Sequence, residues 1–301
     1  MVKTKKGSAN EASSRSLWQD AWRRFKKNRL AMICLVFVAM LTLVSIGTLA
    51  IDIITDKQFY DENVINQQLA RKLEAPSLEH PFGMDEFGRD VLMRILWGTR
   101  YSLFMGTFSV MASLIVGGFF GALAGFYGGR VDNVIMRVMD VLMAMPSILL
   151  AIAIVAALGP GLVNVVIAIG ISYVPSFARV VRASVMTVRG QEFVEAASAV
   201  GASNARIIFR QIIPNAMAPI IVQATLGAAG AILSIAGLSF LGLGIQPPVP
   251  EWGAILSNAR TYIRDAWHIT VIPGCMILLT ILALNIVGDG LRDALDPKLK
   301  T

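Results

Sequence analysis

The sequence predicts an all-α, polytopic membrane protein with six transmembrane helices, and three observations lead there. The 301-residue chain is 55% hydrophobic and only 16% charged, with a mean hydropathy of +0.64; a soluble domain carries about 25% charged residues. Its apolar residues gather into six stretches long enough to cross a bilayer as helices. Its lysines and arginines fall unevenly on the segments between those stretches, as expected of a protein oriented by positive charge.

Composition also closes other classes. The net charge of +7 does not point to nucleic acid, because nine basic residues (Lys3, Lys5, Lys6, Arg15, Arg23, Arg24, Lys26, Lys27 and Arg29) sit just before the first apolar stretch. There they set topology, and no aromatic-interleaved basic face accompanies them. Cys34 and Cys275 lie far apart in apolar stretches and read as small core residues. His80 and His268 fall between stretches, and His80 beside Pro81 reads as structural. No metal site is expected.

The first span is residues 30–51, "LAMICLVFVAMLTLVSIGTLAI", free of charge and about 33 Å long as a helix. A basic region of nearly thirty residues precedes it and no small-x-small site follows, so an uncleaved span is expected rather than a signal peptide. Further spans are expected near 101–126, 135–158, 162–181, 216–243 and 269–287. With the N-terminus in the cytosol, nineteen basic residues fall on inside segments and eight on outside ones, which places both termini inside.

The outside segment 52–100 ends in a stretch with helical spacing (Val91, Leu92, Ile95, Leu96), expected to pack as a helix before the second span. A second outside segment, 244–268, opens with a Pro-rich turn and then turns amphipathic. In the second span Gly117, Gly121 and Gly125 recur every four residues. They line one helix face and let another backbone approach, for a sliding contact or for ordinary membrane packing. Asp140 lies early in the third span, three residues from Arg137; an intramembrane acid is a functional candidate, and a local ion pair with Arg137 is the structural alternative. Pro146, Pro175 and Pro273 can each kink a span and free carbonyls.

The stretch "EFVEAASAVGASNARIIFRQIIPN", residues 192–215, is the longest charged, small-residue interruption in the second half. Glu192 and Glu195 suit the positive end of a helix dipole, and Ala196 and Ala197 leave that helix thin. Gly201 is placed to stop it, and Ser203 to cap a second helix running to Ile213. Pro214 then turns the chain into the fifth span. The result is a cytosolic helix–turn–helix hairpin. Spacing alone fits equally an amphipathic loop lying on the bilayer and a handle for a soluble partner.

Glu195-Ala196-Ala197, then Gly201, then Pro214 resembles the EAA loop of permease subunits in binding-protein-dependent ABC importers. The chain is more specifically similar to the C-type permeases of dipeptide and oligopeptide importers, a family that includes nickel permeases. "HPFGMDEFGRDVLMRILWGTRYSL" (80–103), "YGGRVDNVIMRVMD" (127–140), "SFLGLGIQPPVPEWG" (239–253) and "VGDGLRDALDPKLK" (287–300) share the resemblance. One departure is Gln211-Ile212-Ile213 where the family has Ile-x-Leu before its proline.

The resemblance implies a type I ABC importer permease fold in the bacterial inner membrane. A basic tail at 1–29, a first helix at 30–51, an extracytoplasmic segment at 52–97, a five-helix permease core at 98–288 and a cytosolic tail at 289–301 follow from it. It implies that Glu192, Glu195, Ala196, Ala197, Gly201, Ser203 and Pro214 serve ATPase coupling. It implies two ATPase subunits, a second related permease forming a heterodimer, an extracytoplasmic binding protein, and no nucleic acid. The chain holds no G-x-x-x-x-G-K-[ST] loop, so it is expected to be non-catalytic and to bind no cofactor, with ATP and Mg on the partners. A hydrolase would have to use Gly237-Leu238-Ser239-Phe240-Leu241, which lacks the second glycine of G-x-S-x-G. A stand-alone carrier would show more intramembrane acids than Asp140.

Overall fold

The computed structural model describes residues 17–295; Lys3, Lys5, Lys6, Arg15 and positions 296–301 lie outside the described residues. Among the described residues every long element is a helix, the form in which an apolar segment satisfies its own backbone without water. A short α1 (Leu17–Phe25) precedes α2 (Arg29–Ile54), whose Asn28 cap accepts the Ala31 N–H at 3.1 Å. Phe25 and Ala31 pack where Gly290 leaves room for them. Leu30, Ile33, Val36, Leu43 and Ile53 remain exposed along α2, as on a helix facing lipid.

A single turn, α3 (Gln58–Tyr60), leads into irregular chain fastened by charge. Arg89 pairs with Asp85 at 2.7 Å, both buried; Arg71 bridges Glu74 and Glu79; and His80 Nδ1 meets Asp90 at 2.6 Å. The Arg71 hydrogen bond holds the Glu79 carboxyl below its usual value, whereas burial pushes Glu86 up.

Asp90 also caps α4 (Val91–Tyr127), accepting the Met93 N–H at 2.9 Å. The helix expected before the second span is therefore the first part of that span, 37 residues without a break. Hydropathy started the span late because of Arg94 and Arg100, and the fold gives both internal partners. Arg94 donates to the Val64 and Pro248 carbonyls at 3.3 and 3.2 Å, and Arg100 pairs with Asp52 at the end of α2. Trp97 Nε1 donates to the same Asp52 at 2.8 Å.

The third span is broken. α5 (Gly129–Met143) and α6 (Ser147–Leu158) meet at 82° around Pro146. Then follow α7 (Leu162–Arg189), the hairpin helices α8 (Glu192–Ala199) and α9 (Asn204–Ile207), and α10 (Ile213–Phe240). A short α11 (Trp252–Ala259) and the long α12 (His268–Leu295) are the last elements of the described residues. Among the described residues five helices are long and apolar enough to cross a membrane, and the bent α5–α6 pair makes a sixth if taken as one span. Pro175, Pro219 and Pro273 sit inside α7, α10 and α12, which run on through them.

Glu251 locks α11 to the bundle. Its carboxylate accepts the Gly253 and Ala254 N–H groups at 2.9 and 2.8 Å and the Ser102 hydroxyl at 3.2 Å, while only 1% exposed. Burial pushes this carboxyl up, against the hydrogen bonds it accepts. Glu251→Ala strands three buried donors, so the purified protein in detergent is expected to lose about 1–3 kcal/mol, read as a lowered melting temperature. An unchanged transition would show that water serves those donors equally well.

Candidate functional site

The hairpin is anchored by its inner face. Val194, Ile207 and Ile212 are buried against Ala122 of α4, Val181 and Val185 of α7, and Ala216 and Ile220 of α10. Glu192, Glu195, Ala196, Gly201 and Ser203 are exposed, and Ala197 is half-buried. The turn closes as Gly201 was expected to close it. Its φ is +83°, its N–H reaches Ser198 O at 3.0 Å, and Ala202 N–H reaches Ala197 O at 3.1 Å, the paired bonds of a helix ended by a left-handed glycine. Ser203 Oγ accepts the Arg206 N–H at 3.4 Å and caps α9.

The second arm departs from expectation. Pro214 does not close it; residues 204–240 form one continuous 37-residue helix. A wide turn over Ile208–Ile212 permits this, with Ile213 N–H reaching back five residues to Ile208 O. Widening the turn displaces the carbonyl that the Pro214 ring would strike, and Pro214 falls in the first turn of α10. The hairpin arm and the fifth span are thus one rod.

Sequence reasoning also passed over three apolar side chains. Phe193, Val200 and Phe209 are 42%, 84% and 69% exposed on the hairpin. Their signal was available: large apolar residues at positions that an amphipathic reading assigns to water.

The glycines lie on the α4–α7 seam. A Cβ on Gly117, Gly121 or Gly125 would come within 2.4, 2.4 and 2.7 Å of the carbonyls of Val174, Ala178 and Arg182. Ser109 and Ser113 extend the same line, donating to Val166 O at 3.3 Å and Gly170 O at 2.7 Å. Five small residues four apart on α4 therefore meet five backbone positions four apart on α7. The pattern of the three glycines, carried back two steps, would have found the two serines. At the hairpin end of the seam Arg182 makes two 2.5 Å bonds to Asp132.

Asp140 pairs with Arg179 at 2.7 Å, not with Arg137. The break at Pro146 lets α5 lean on α7, where Met139 packs with Val174 and Ala178, and position 179 comes within reach. Both partners are about half exposed, so the pair contributes about 0–1 kcal/mol.

Residues 117–301 match the family described as binding-protein-dependent transport system inner membrane component, and residues 16–76 match the N-terminal transmembrane domain of oligopeptide transport permease C. The chain is 49% identical to the dipeptide transport system permease protein DppC of Alkalihalophilus pseudofirmus, over 95% of this chain and 91% of that one. It is 45% identical to the glutathione transport system permease protein GsiD of Escherichia coli, over 95% and 92%. Among solved structures, an inward-facing MetNI methionine ABC transporter shares the fold, with a TM-score of 0.56 at 16% identity over 68% of this chain and 98% of that one.

Proposed function

Because the chain belongs to the binding-protein-dependent transport inner membrane components, we propose that it forms half of a translocation pathway for di- and oligopeptides and is driven through the hairpin at 192–214. The protein is a multi-pass permease subunit of an ABC importer, and such importers work with ATPase and substrate-binding partners. The finer assembly proposed is a heterodimer with a second related permease, two cytosolic ATPases that hold ATP and Mg, and an extracytoplasmic binding protein. This chain is then non-catalytic, lies in the bacterial inner membrane with both termini cytosolic, and has its permease core at 98–288.

One observation carries the coupling role. The hairpin presents Glu192, Glu195, Ala196 and Gly201 outward on a mount whose second arm is continuous with a membrane helix. Phe193, Val200 and Phe209 add exposed apolar surface to that face, the composition of a protein contact rather than of a solvated loop. The small side chains permit close approach, and a push on the hairpin is transmitted along residues 204–240 without an intervening joint. Nucleotide shifts the balance between two helix packings only by its difference in affinity for them. The relatives named for dipeptides and glutathione support peptides over nickel as the solute.

Reconstitution tests this. Vesicles holding this chain, its partner permease, both ATPases and the binding protein are expected to take up dipeptide only with ATP. Uptake by this chain alone, driven by an ion gradient, would replace the importer assignment with a carrier; uptake of nickel but not peptide would replace the solute.

A further inference from the structure

The third span breaks where a spanning helix is ordinarily continuous. Pro146 has no N–H to offer the Leu142 carbonyl, and as the residue before α6 it provides no side-chain acceptor for that helix's first donors. Ala144 N–H bends back to Val141 O at 3.3 Å, and Pro146 O takes the Leu149 and Leu150 N–H groups at 2.9 and 3.1 Å. Residues 143–147 are all exposed on this chain. The break is also deep. α6 has twelve residues on its far side, about 18 Å of helix, and Tyr173 of the adjacent α7 stands about 17 Å along from Leu162. Exposed irregular backbone at that depth is tolerated only against protein or a water-filled cavity.

A cavity of about 340 Å³ opens at the break, lined by Met145, Ser147, Ser172, Tyr173 and Ser176 among others, none of them charged. Two of its hydroxyls are held in place. Ser176 Oγ accepts from Gln223 Nε2 at 3.1 Å, and Gly230 leaves the room that the Tyr173 phenol fills, since a Cβ there would lie 2.5 Å from its oxygen. A fixed charge here would sort peptides by side chain. Uncharged hydroxyls and the Leu142 carbonyl, which Pro146 deprives of its helical donor, instead match the amide N–H and C=O that every peptide carries, the usual division between an apolar wall and a few placed polar groups.

We infer that this pocket is a solute-contact station on the translocation path, where Ser147, Tyr173, Ser176 and the opened backbone near Pro146 hydrogen-bond the main-chain amides of a passing peptide. The peptide part rests on the functional reading above; the aqueous character of the pocket rests on the broken backbone together with the hydroxyl lining.

The test uses the complete reconstituted importer with Cys34→Ala and Cys275→Ser, carrying Ser147→Cys, Ser176→Cys or the lipid-facing control Leu43→Cys. A charged, membrane-impermeant methanethiosulfonate is expected to label positions 147 and 176 at least tenfold faster than 43. Saturating dialanine is expected to slow that labelling severalfold. If dialanine is taken up while 147 and 176 label no faster than 43, the pocket is not on the path and the inference falls. If both label quickly but neither dialanine nor trialanine slows them, main-chain recognition falls, and loss of peptide uptake in the parent complex would assign that failure to the solute class.

Discussion

Glu195→Lys is expected to abolish ATP-driven uptake while the protein still inserts and folds. Glu195 is exposed at the first turn of α8, and its side chain makes no contact that anchors the hairpin. Folding stability should therefore move only by the helix-dipole contribution of an exposed first-turn charge, about 1 kcal/mol on reversal. A central contact residue reversed in charge costs about 2 kcal/mol or more of docking energy, roughly thirtyfold in affinity for the ATPase. Gly201→Trp probes the same face by bulk. Its Cβ would meet nothing within 4 Å inside this chain, so the indole projects outward into whatever docks there. The left-handed backbone adds about 1–2 kcal/mol of strain for any side chain, and Gly201→Ala measures that strain without the bulk. The expected pattern is uptake and ATPase co-purification lost in Glu195→Lys and Gly201→Trp and largely kept in Gly201→Ala. Normal uptake by both disruptive variants would remove the docking role.

Gly121→Leu is expected to be the most destabilising single substitution in the bundle. The Ala178 carbonyl lies 2.4 Å from where its Cβ would stand, and the Ala178 Cα and carbonyl carbon lie at 3.1 Å. These are backbone atoms, so relief requires separating α4 from α7. Separation also loosens the Gly117 and Gly125 contacts and lengthens the Ser113 bond to Gly170 O. More than about 3 kcal/mol is expected, beyond ordinary overpacking, seen as a large fall in melting temperature or in recovered folded protein. Gly118→Leu is the control on the same helix: its Cβ would meet only a Leu114 methyl of α4 at 3.8 Å and a Val181 methyl of α7 at 3.9 Å, and a small effect is expected. Equal melting of Gly121→Leu and the parent would mean that the helices are free to part there.

Much of this architecture was legible because a bilayer leaves few solutions. Apolar length places the spans, and the hairpin's Gly201 and Ser203 show themselves through backbone chemistry that is local in sequence. The family resemblance and its motifs were likewise readable from residues alone. What escaped shares a cause. Arg94 and Arg100 cut off the start of the second span because hydropathy scores a charge without its partner, and among those partners Asp52 and the carbonyls of Val64 and Pro248 lie 30 or more residues away. Asp140 was matched to Arg137 because helical spacing finds only neighbours on the same helix, whereas Arg179 is 39 residues distant.

By itself, then, the sequence determined that the protein is a helical membrane permease with a thin acidic hairpin, since hydrophobic length, helix stops and charge placement act over a few residues. Only the tertiary structure decided that the hairpin arm and fifth span are one rod, that the serines and glycines of α4 form a single seam, and that the third span opens into an uncharged, partly hydroxyl-lined pocket. Each of these depends on which backbone meets which across the bundle, and on whether a proline's missing bond is absorbed by a widened turn, as before Pro214, or left open, as at Pro146.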